Sequence, residues 1–440
     1  AFSMSNNINN WKDCDAFMRN RLFGRTTEQG IKETGSLIRE LQGVMVNSIL
    51  SGPKTPLRAI MGTSTATFTR PMAQAIGGTM KYVTSGFTDA SVLRQSLAEM
   101  NGMIHAIPES FELFMSRLNG YWNGDISTIK SRFAEFSNSD EHWDLMRHWA
   151  EGSNATLGEK SAFHLANLAR EANNNSYLSY STKLMAATDD AFTLILARGR
   201  SRTKAMQAAL DAQAQGLIPD IGPELIRDYQ NRFYNEIFDP LTGTVKESWL
   251  SHARGEVTLT KDLSGFAKAL DHLFSQQPAL KPFYMFARTG INGLELTAKH
   301  TPLLNFAVKE FNDIAWAKPT DLSKVAKYGI ETAEDLANAK ALQNGRLALG
   351  SSIMFMAYQK YLNGEITGNG PTDPQLRRVW QSTGWVPRSI KLGGVWVSHE
   401  SIEPFTSLLS MVADYGDNQR IMGDEWVEKG ILSHSFIIGK

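Results

Sequence analysis

The sequence predicts a mainly α protein, an elongated multi-helix bundle with one short β-hairpin near the C-terminus. Three observations carry that expectation. Apolar residues recur at helical spacing along most of the 440 residues. Turn signals built from Gly, Pro and Asn separate those runs. Two short apolar-rich runs, Ser389–Leu392 and Val395–Ser398, flank Gly393-Gly394, the pattern of a tight hairpin.

Bulk composition is that of a folded chain. Apolar residues make up 42% and charged residues 20%, so wholesale disorder is not expected. The length suggests two or three domains. Lys+Arg and Asp+Glu balance at 45 each. A neutral chain is not steered to nucleic acid by its overall field, so any DNA contact must be local. The single cysteine, Cys14, excludes an intramolecular disulfide and a cysteine-based zinc cage. Residues 1–11 are polar and do not read as a secretory signal. Ala1 in place of an initiator Met suggests a processed product or a portion of a longer polypeptide. No run reaches the roughly 18–20 apolar residues of a membrane span. The closest, 347–358, reads as a buried core helix, or as a helix that enters a membrane only within an assembly.

The elements follow in order. Thr26-x-x-Gln29 has the form of a capping box and opens a helix with Ile31, Leu37, Ile38, Leu41, Val44, Met45, Ile49 and Leu50 as its apolar positions. Gly52-Pro53 closes it. Residues 55–85 are rich in small residues, including Ala73, Gly77 and Gly78, which predicts close helix–helix approach. Arg58, Arg70 and Lys81 interrupt any lipid-facing stripe there. A helix starting at Thr88-Asp89 breaks at Pro108, resumes through Phe111, Phe114, Met115 and Leu118, and ends in a turn at 121–125. Helices are expected at about 126–136, 139–150, 157–172, 178–198, 201–215 and 222–238. A turn at 239–243 follows. Val257-Thr258-Leu259-Thr260 reads as a short strand, or as an extended lead into a helix capped at Asp262 or Ser264. Helices are then expected at about 264–275, 284–298, 302–316, 331–343 and 345–362, and again at about 404–415. The polar run Asn173-Asn174-Asn175-Ser176 is a candidate boundary. The regions are thus an N-terminal helical one, 1–172, a central helical one, 177–320, and a C-terminal one with the hairpin, 321–440.

Candidate chemistry is sparse. His142 and His148 share one expected helix but are not at the i,i+4 spacing of a helical zinc pair. They read as structural or surface residues, and Trp143 and Trp149 as core or interface anchors. Gly364-x-x-x-Gly368-Asn369-Gly370-Pro371 superficially resembles a phosphate loop. It lacks the Gly-Lys-Ser/Thr ending, follows a helix and ends in proline, so it reads as a structural turn. No Gly-x-Ser-x-Gly elbow is present. Glu365, Glu400 and Glu403 lie near several aromatics, as glycosidase carboxylates can, but nothing fixes a separation between them. No catalytic residue, cofactor or metal ligand is therefore expected. The densest basic cluster, Arg198, Arg200, Arg202 and Lys204, falls at the expected junction of two helices. It reads either as helix-end charge or as a contact to DNA phosphates without sequence preference. No interleaved aromatics suggest base stacking.

Four segments carry a family resemblance. The first is Leu50-Ser51-Gly52-Pro53-Lys54-Thr55, a helix break ahead of a small-residue helix. The second is Thr188-Asp189-Asp190-Ala191-Phe192, followed by the arginine-rich stretch. The third pairs Glu256-Val257-Thr258-Leu259-Thr260-Lys261-Asp262 with Phe286-Ala287-Arg288-Thr289-Gly290-Ile291-Asn292. The fourth is Gly384-Trp385-Val386-Pro387-Arg388-Ser389-Ile390 with Trp396-Val397-Ser398-His399. In order and spacing over about 47–410 they resemble the C-terminal region of the large internal virion proteins, or ejection proteins, of tailed phages. Gly290 stands where that family's pattern has proline, a mild departure.

The resemblance implies a protein held in the phage head near the portal vertex and released with the genome; no catalytic motif falls within these residues, and an enzyme domain elsewhere in a longer chain stays open. It implies an oligomer that helps form a conduit for DNA across the host envelope. Its implied partners are other copies, other ejection proteins, portal and tail components, phage double-stranded DNA, and the host inner membrane or periplasm. A chain that leaves through a narrow tail must unfold and refold. Helical local contacts re-form quickly, and no disulfide opposes passage. Segments 55–85 and 345–362 are then expected to pack between subunits or against the inner membrane. Some family members carry lytic transglycosylase or virion RNA polymerase domains, but neither enzyme's motifs occur in this sequence. The alternatives are part of a peptidoglycan-degrading lytic transglycosylase, or a purely structural head or portal-vertex component.

Overall fold

Helical spacing in the sequence becomes fifteen α-helices among the described residues, with three minimal two-stranded ladders. The computed structural model describes residues 11–26, 32–50, 52, 54–123, 140–152, 154–175, 177–239, 243–263, 287–400 and 405–422. The fold is mainly α with a C-terminal hairpin, as the sequence predicts.

In chain order the elements are α1 (Trp11–Phe23), β1 (Gly24–Thr26), β2 (Lys32–Thr34), α2 (Ser36–Leu50), α3 (Lys54–Thr84), α4 (Ser91–His105) and α5 (Ile107–Asn123). Next come α6 (Asp140–Glu151), α7 (Leu157–Asn174), α8 (Tyr180–Ala214), α9 (Pro223–Ile237), β3 (Phe238–Asp239), β4 (Thr244–Val245) and α10 (Ser248–Val257). The remainder are α11 (Ala287–His300), α12 (Lys309–Trp316), α13 (Ala333–Leu362), α14 (Pro374–Ser382), β5 (Ser389–Leu392), β6 (Val395–Ser398) and α15 (Phe405–Met422).

The Gly-Gly hairpin forms as expected. Leu392 pairs with Val395 and Ser389 with Ser398. Gly393 and Gly394 have φ of 56° and 88°, the left-handed pair that a type I′ turn requires. Two further antiparallel ladders, β1–β2 and β3–β4, were not expected. The first displaces a sequence reading. Thr26 does not cap a helix but pairs with Lys32 in a ladder, and α2 begins only at Ser36. The mouth of that ladder is tight: a side chain on Gly35 would meet the Gly24 nitrogen at 2.3 Å. Gln29, the other half of the expected capping box, lies outside the described residues, as do the expected helices at 126–136 and 264–275. The capping box that does form is Thr156 with Glu159, at the start of α7.

Two expected helix breaks are continuous helix. Segments 178–198 and 201–215 form one 35-residue helix, α8, and 331–343 and 345–362 form one 30-residue helix, α13. Gly199 lies in the first of these expected breaks and Gly345 borders the second, and both are packing positions. A Cβ at Gly199 would lie 2.6 Å from Met103 Cγ, and one at Gly345 would lie 1.6 Å from the Ala73 carbonyl oxygen. Glycine mid-helix costs about 1 kcal/mol against alanine, a cost the close approach offsets.

The same approach explains the small-residue helix. Ala73-x-x-x-Gly77 on α3 faces Ala341-x-x-x-Gly345 on α13, and a Cβ on Gly77 would lie 1.8 Å from the Ala341 carbonyl oxygen. The two helices expected to pack between subunits or on a membrane therefore pack their small faces on each other within one chain. No described helix is long and apolar enough to cross a membrane.

The main apolar cluster joins Met103, Leu194, Leu196, Tyr234, Phe238 and Leu250 from α4, α8, α9, β3 and α10. A second cluster centres on Trp143, Met146 and Phe163, with Met18 and Leu22 of α1. Trp143 is thus the core anchor its sequence context suggested. Asn173, in the polar run near 175, clasps α7 to α2. Its side-chain amide donates to the Glu40 carbonyl at 2.9 Å and to the Glu40 carboxylate at 2.8 Å.

Candidate functional site

Where α3, α10, α11, α12 and α13 meet, the interior is charged. Glu256 is at its centre and is 6% exposed. Its Oε2 accepts from Arg346 Nη2 at 2.6 Å and from Arg70 Nη1 at 3.2 Å. Its Oε1 accepts from Lys299 Nζ at 2.6 Å and Arg346 Nη1 at 3.1 Å. One carboxylate therefore ties three cations from three helices. Lys299 continues to Glu310 at 2.9 Å. Glu310 also faces His252 Nε2 at 3.2 Å and accepts from Lys261, whose ammonium bonds Glu295 at 2.6 Å.

Local sequence explains how these groups arrive. Thr258 to Lys261 turn back on α10, with Leu259 at a φ of 55° and the Thr260 and Lys261 N–H groups donating to the Gly255 carbonyl. Asn292 on α11 holds that turn, donating to the carbonyls of Leu259 at 3.0 Å and Lys261 at 2.9 Å. The two pieces of the third resembling segment thus meet in space, and their polar residues supply part of this network. Arg70 precedes Pro71, which lacks the N–H that would bond the Thr67 carbonyl, so the helix there needs lateral packing.

A second hub adjoins the first through an indole. Arg70 and Arg200 each place the guanidinium carbon 4.5 Å from the Trp249 ring centroid, a favourable contact with its π face. Arg200 also donates to Glu247 at 3.0 Å and to Asp335 at 2.9 Å, and Lys204 reaches Glu247 at 2.9 Å. Asp335 belongs to the first turn of α13, where its N–H donates to the Thr332 cap at 3.0 Å. A chain of amides completes this layer, with Gln74 of α3 donating to Asn338 of α13, which donates to Gln95 of α4.

Burial and pairing set the protonation states. Burial opposes charge on Glu256, but Arg346, Lys299 and Arg70 outweigh it and hold the carboxyl well below the usual range. Glu310 is likewise lowered, by Lys299 and His252 against burial. Burial works against the Lys299 ammonium too, but Glu256 and Glu310 raise its pKa, so it stays protonated. Burial and Arg346 push His300 down to about 4, and burial lowers His252. Glu99, 1% exposed near Arg70 and Arg200, is raised by burial. The network thus offers ionised carboxylates already committed to cations and a lysine with no tendency to lose its proton. Among the described residues no cluster of three His, Cys, Asp or Glu is arranged to hold a metal ion.

The arginine-rich stretch is not an exposed basic patch. Arg200 is 3% exposed and fully engaged inside the bundle. Arg198 makes a two-pronged pair with Glu109, both bonds 2.8 Å, and sits 3.7 Å over the Tyr234 ring. Arg202 donates to Gln230 at 2.9 Å, and Lys204 pairs with Glu247. On one continuous helix Arg198 and Arg202 share one face and Arg200 and Lys204 another, and each face is packed against protein partners. Arg200 is thus closed to the expected DNA-phosphate contact, while Arg198, Arg202 and Lys204 are each engaged by protein partners.

The loop that superficially resembled a phosphate cradle does present converging N–H groups, and the chain fills them itself. Gly368 and Gly370 donate to Asp417 Oδ2 at 3.1 and 3.2 Å, and Asn369 donates to Asp414. Burial pushes Asp417 up to about 6 despite these bonds. Trp385 closes over Gly370, where a Cβ would lie 2.5 Å from the ring. Glu365 pairs with Lys360 at 2.8 Å, Glu400 faces Arg58 at 3.5 Å, and Glu403 lies outside the described residues. His148 is exposed, and the side chain of His142 lies outside the description.

Fold and site together define a mainly α protein whose helices are registered by buried ion pairs and by backbone-close glycine contacts. No family model, no curated protein and no solved structure matches the chain. Sequence reading missed this network because its partners are far apart in the chain. The available signal was single charges inside small-residue helices, Arg70 in α3 and Arg346 beside Gly345 in α13.

Proposed function

We propose that the chain is an internal virion protein of a tailed phage, released from the head with the genome. In the host envelope it assembles with further copies and with other ejection, portal or tail proteins into a conduit for DNA. The observation that carries this reading is the Glu256 hub, an interior specified by charge.

A buried ion pair adds little net stability over an apolar equivalent, because desolvation offsets most of its attraction, yet it penalises wrong pairings strongly. Helices packed through Gly77 and Gly345 likewise fit in one register only. Such an interior suits a chain that is unfolded to pass a narrow tail and must regain one structure beyond it. The one cysteine leaves no intramolecular crosslink to oppose unfolding. The ordered resemblance of four segments supports the same reading. Exposed apolar side chains at helical spacing on α5, Ile107, Phe111, Met115 and Trp122, fit a subunit of an assembly.

Mass spectrometry of purified virions and of host envelopes after infection tests the proposal. Peptides of this chain are expected in both. Absence from the virion overturns it, and retention in emptied heads makes the protein a fixed head component. Clearing of a peptidoglycan gel that is lost in Glu365→Gln would instead place it among lytic enzymes.

A further inference from the structure

Beside Glu256 lies a cavity of about 10 Å³, whose lining includes Ala66, Arg70, Glu256, His300 and Arg346. That is near the lower limit for one water molecule. Three of its lining side chains present buried nitrogens that no protein group satisfies: Arg70 Nε, Arg346 Nε and His300 Nε2. Their residues are 8%, 4% and 2% exposed. We propose that this cavity is a binding site for a single internal water that joins Arg70, Arg346 and His300.

The chemistry of the three atoms selects the ligand. Both arginine Nε atoms are donors only. His300 Nδ1 lies 2.8 Å from the Leu296 carbonyl, which can only accept, so Nδ1 carries the proton. The neutral ring then leaves Nε2 as an acceptor. A ligand that accepts two hydrogen bonds and donates one satisfies all three. Water does this and fits the space. A halide would meet the two donors but face the Nε2 lone pair, and a cation would face two guanidinium groups. Unsatisfied buried donors are costly, so the water completes the network around Glu256. It links α3, α11 and α13 at the place where Glu256 links them through ions.

Two measurements on the whole protein decide the matter. A high-resolution crystal structure is expected to show one density peak within hydrogen-bond distance of all three nitrogens. Oxygen-17 relaxation dispersion is expected to count one fewer long-lived internal water in Ala66→Val, which fills the cavity, than in the parent protein. Circular dichroism of the variant first confirms that it is folded, and if Ala66→Val does not fold the density at the site decides alone. A site without a peak, or equal water counts in parent and filled variant, overturns the proposal. So does an anomalous bromide peak in the cavity after a bromide soak, which would make the site one for a small anion.

Discussion

Arg346 and Glu256, on helices α13 and α10, form a two-pronged ion pair at 2.6 and 3.1 Å with both side chains about 95% buried. Removing one partner leaves the other charged in a low-dielectric interior. Glu256→Gln strands three cations and is expected to destabilise the fold by about 3–5 kcal/mol. Urea unfolding reads this directly. A loss below about 1 kcal/mol would mean that the pair is solvated in solution.

Glycine contacts predict opposite signs at two positions of one helix. Gly77→Ala puts a methyl against the Ala341 carbonyl and is expected to destabilise by about 1–3 kcal/mol, as overpacking does. Gly62, also in α3, has nothing within 4 Å of a built Cβ. Gly62→Ala is therefore expected to stabilise by about 0.5–1 kcal/mol through helix propensity. Thermal melts of the two variants check the pair of signs.

Acid should weaken the fold in two stages. His300 is held near 4, below its unfolded value, so its contribution is complete above about 6.5 and is lost as pH falls through the folded value. The span corresponds to about 3 kcal/mol. Asp417 has the opposite sign. Its folded value near 6 lies above its unfolded one, so its contribution is complete below about 3.8 and lost as pH rises through 6. The lowered pKa values of Glu256 and Glu310 add a further loss below about 4.5. Asp417→Asn should therefore steepen the fall in stability between pH 6.5 and 4, and His300→Gln should flatten it. Unfolding free energies measured across that range decide the signs.

The arginine stretch gives a prediction that separates structure from DNA contact. Arg200→Ala leaves Glu247 and Asp335 without their shared buried cation and should lower stability by about 3 kcal/mol or more. Arg202→Ala, which loses the Gln230 bond and the packing of its stem against Gly102, should cost about 1 kcal/mol. DNA affinity in a filter-binding assay should be unchanged in folded Arg202→Ala. A reduced salt slope in that variant would restore the phosphate reading.

Much of the fold was legible because its signals are local. Gly393-Gly394 specifies a hairpin through its own φ angles, and the small residues of 55–85 announce close packing. The breaks expected near Gly199 and Gly345 do not form, because glycine serves turns and helix crossings alike and only the partner helix distinguishes them. The ladder at Thr26 was hidden behind a capping pattern that its neighbours override. The network around Glu256 was not legible at all. Arg70 and Glu256 are 186 residues apart, and no periodicity links them. Of the four segments the third lies beside it, since Asn292 holds the turn that carries Lys261.

Interrupted refolding tests most directly whether this interior returns the chain to one structure. The protein is unfolded in guanidinium briefly enough that its 15 prolines keep their native isomers, then diluted. Trp249, beside Arg70 and Arg200, lies at the heart of the network, and near-ultraviolet circular dichroism reports its packing. The expected result is full recovery of the native signal within seconds, without a chaperone, in the parent protein and not in Glu256→Gln. Recovery of helix content without the tertiary signal, or equal recovery in both proteins, would contradict a fold whose single structure is specified by its buried charges.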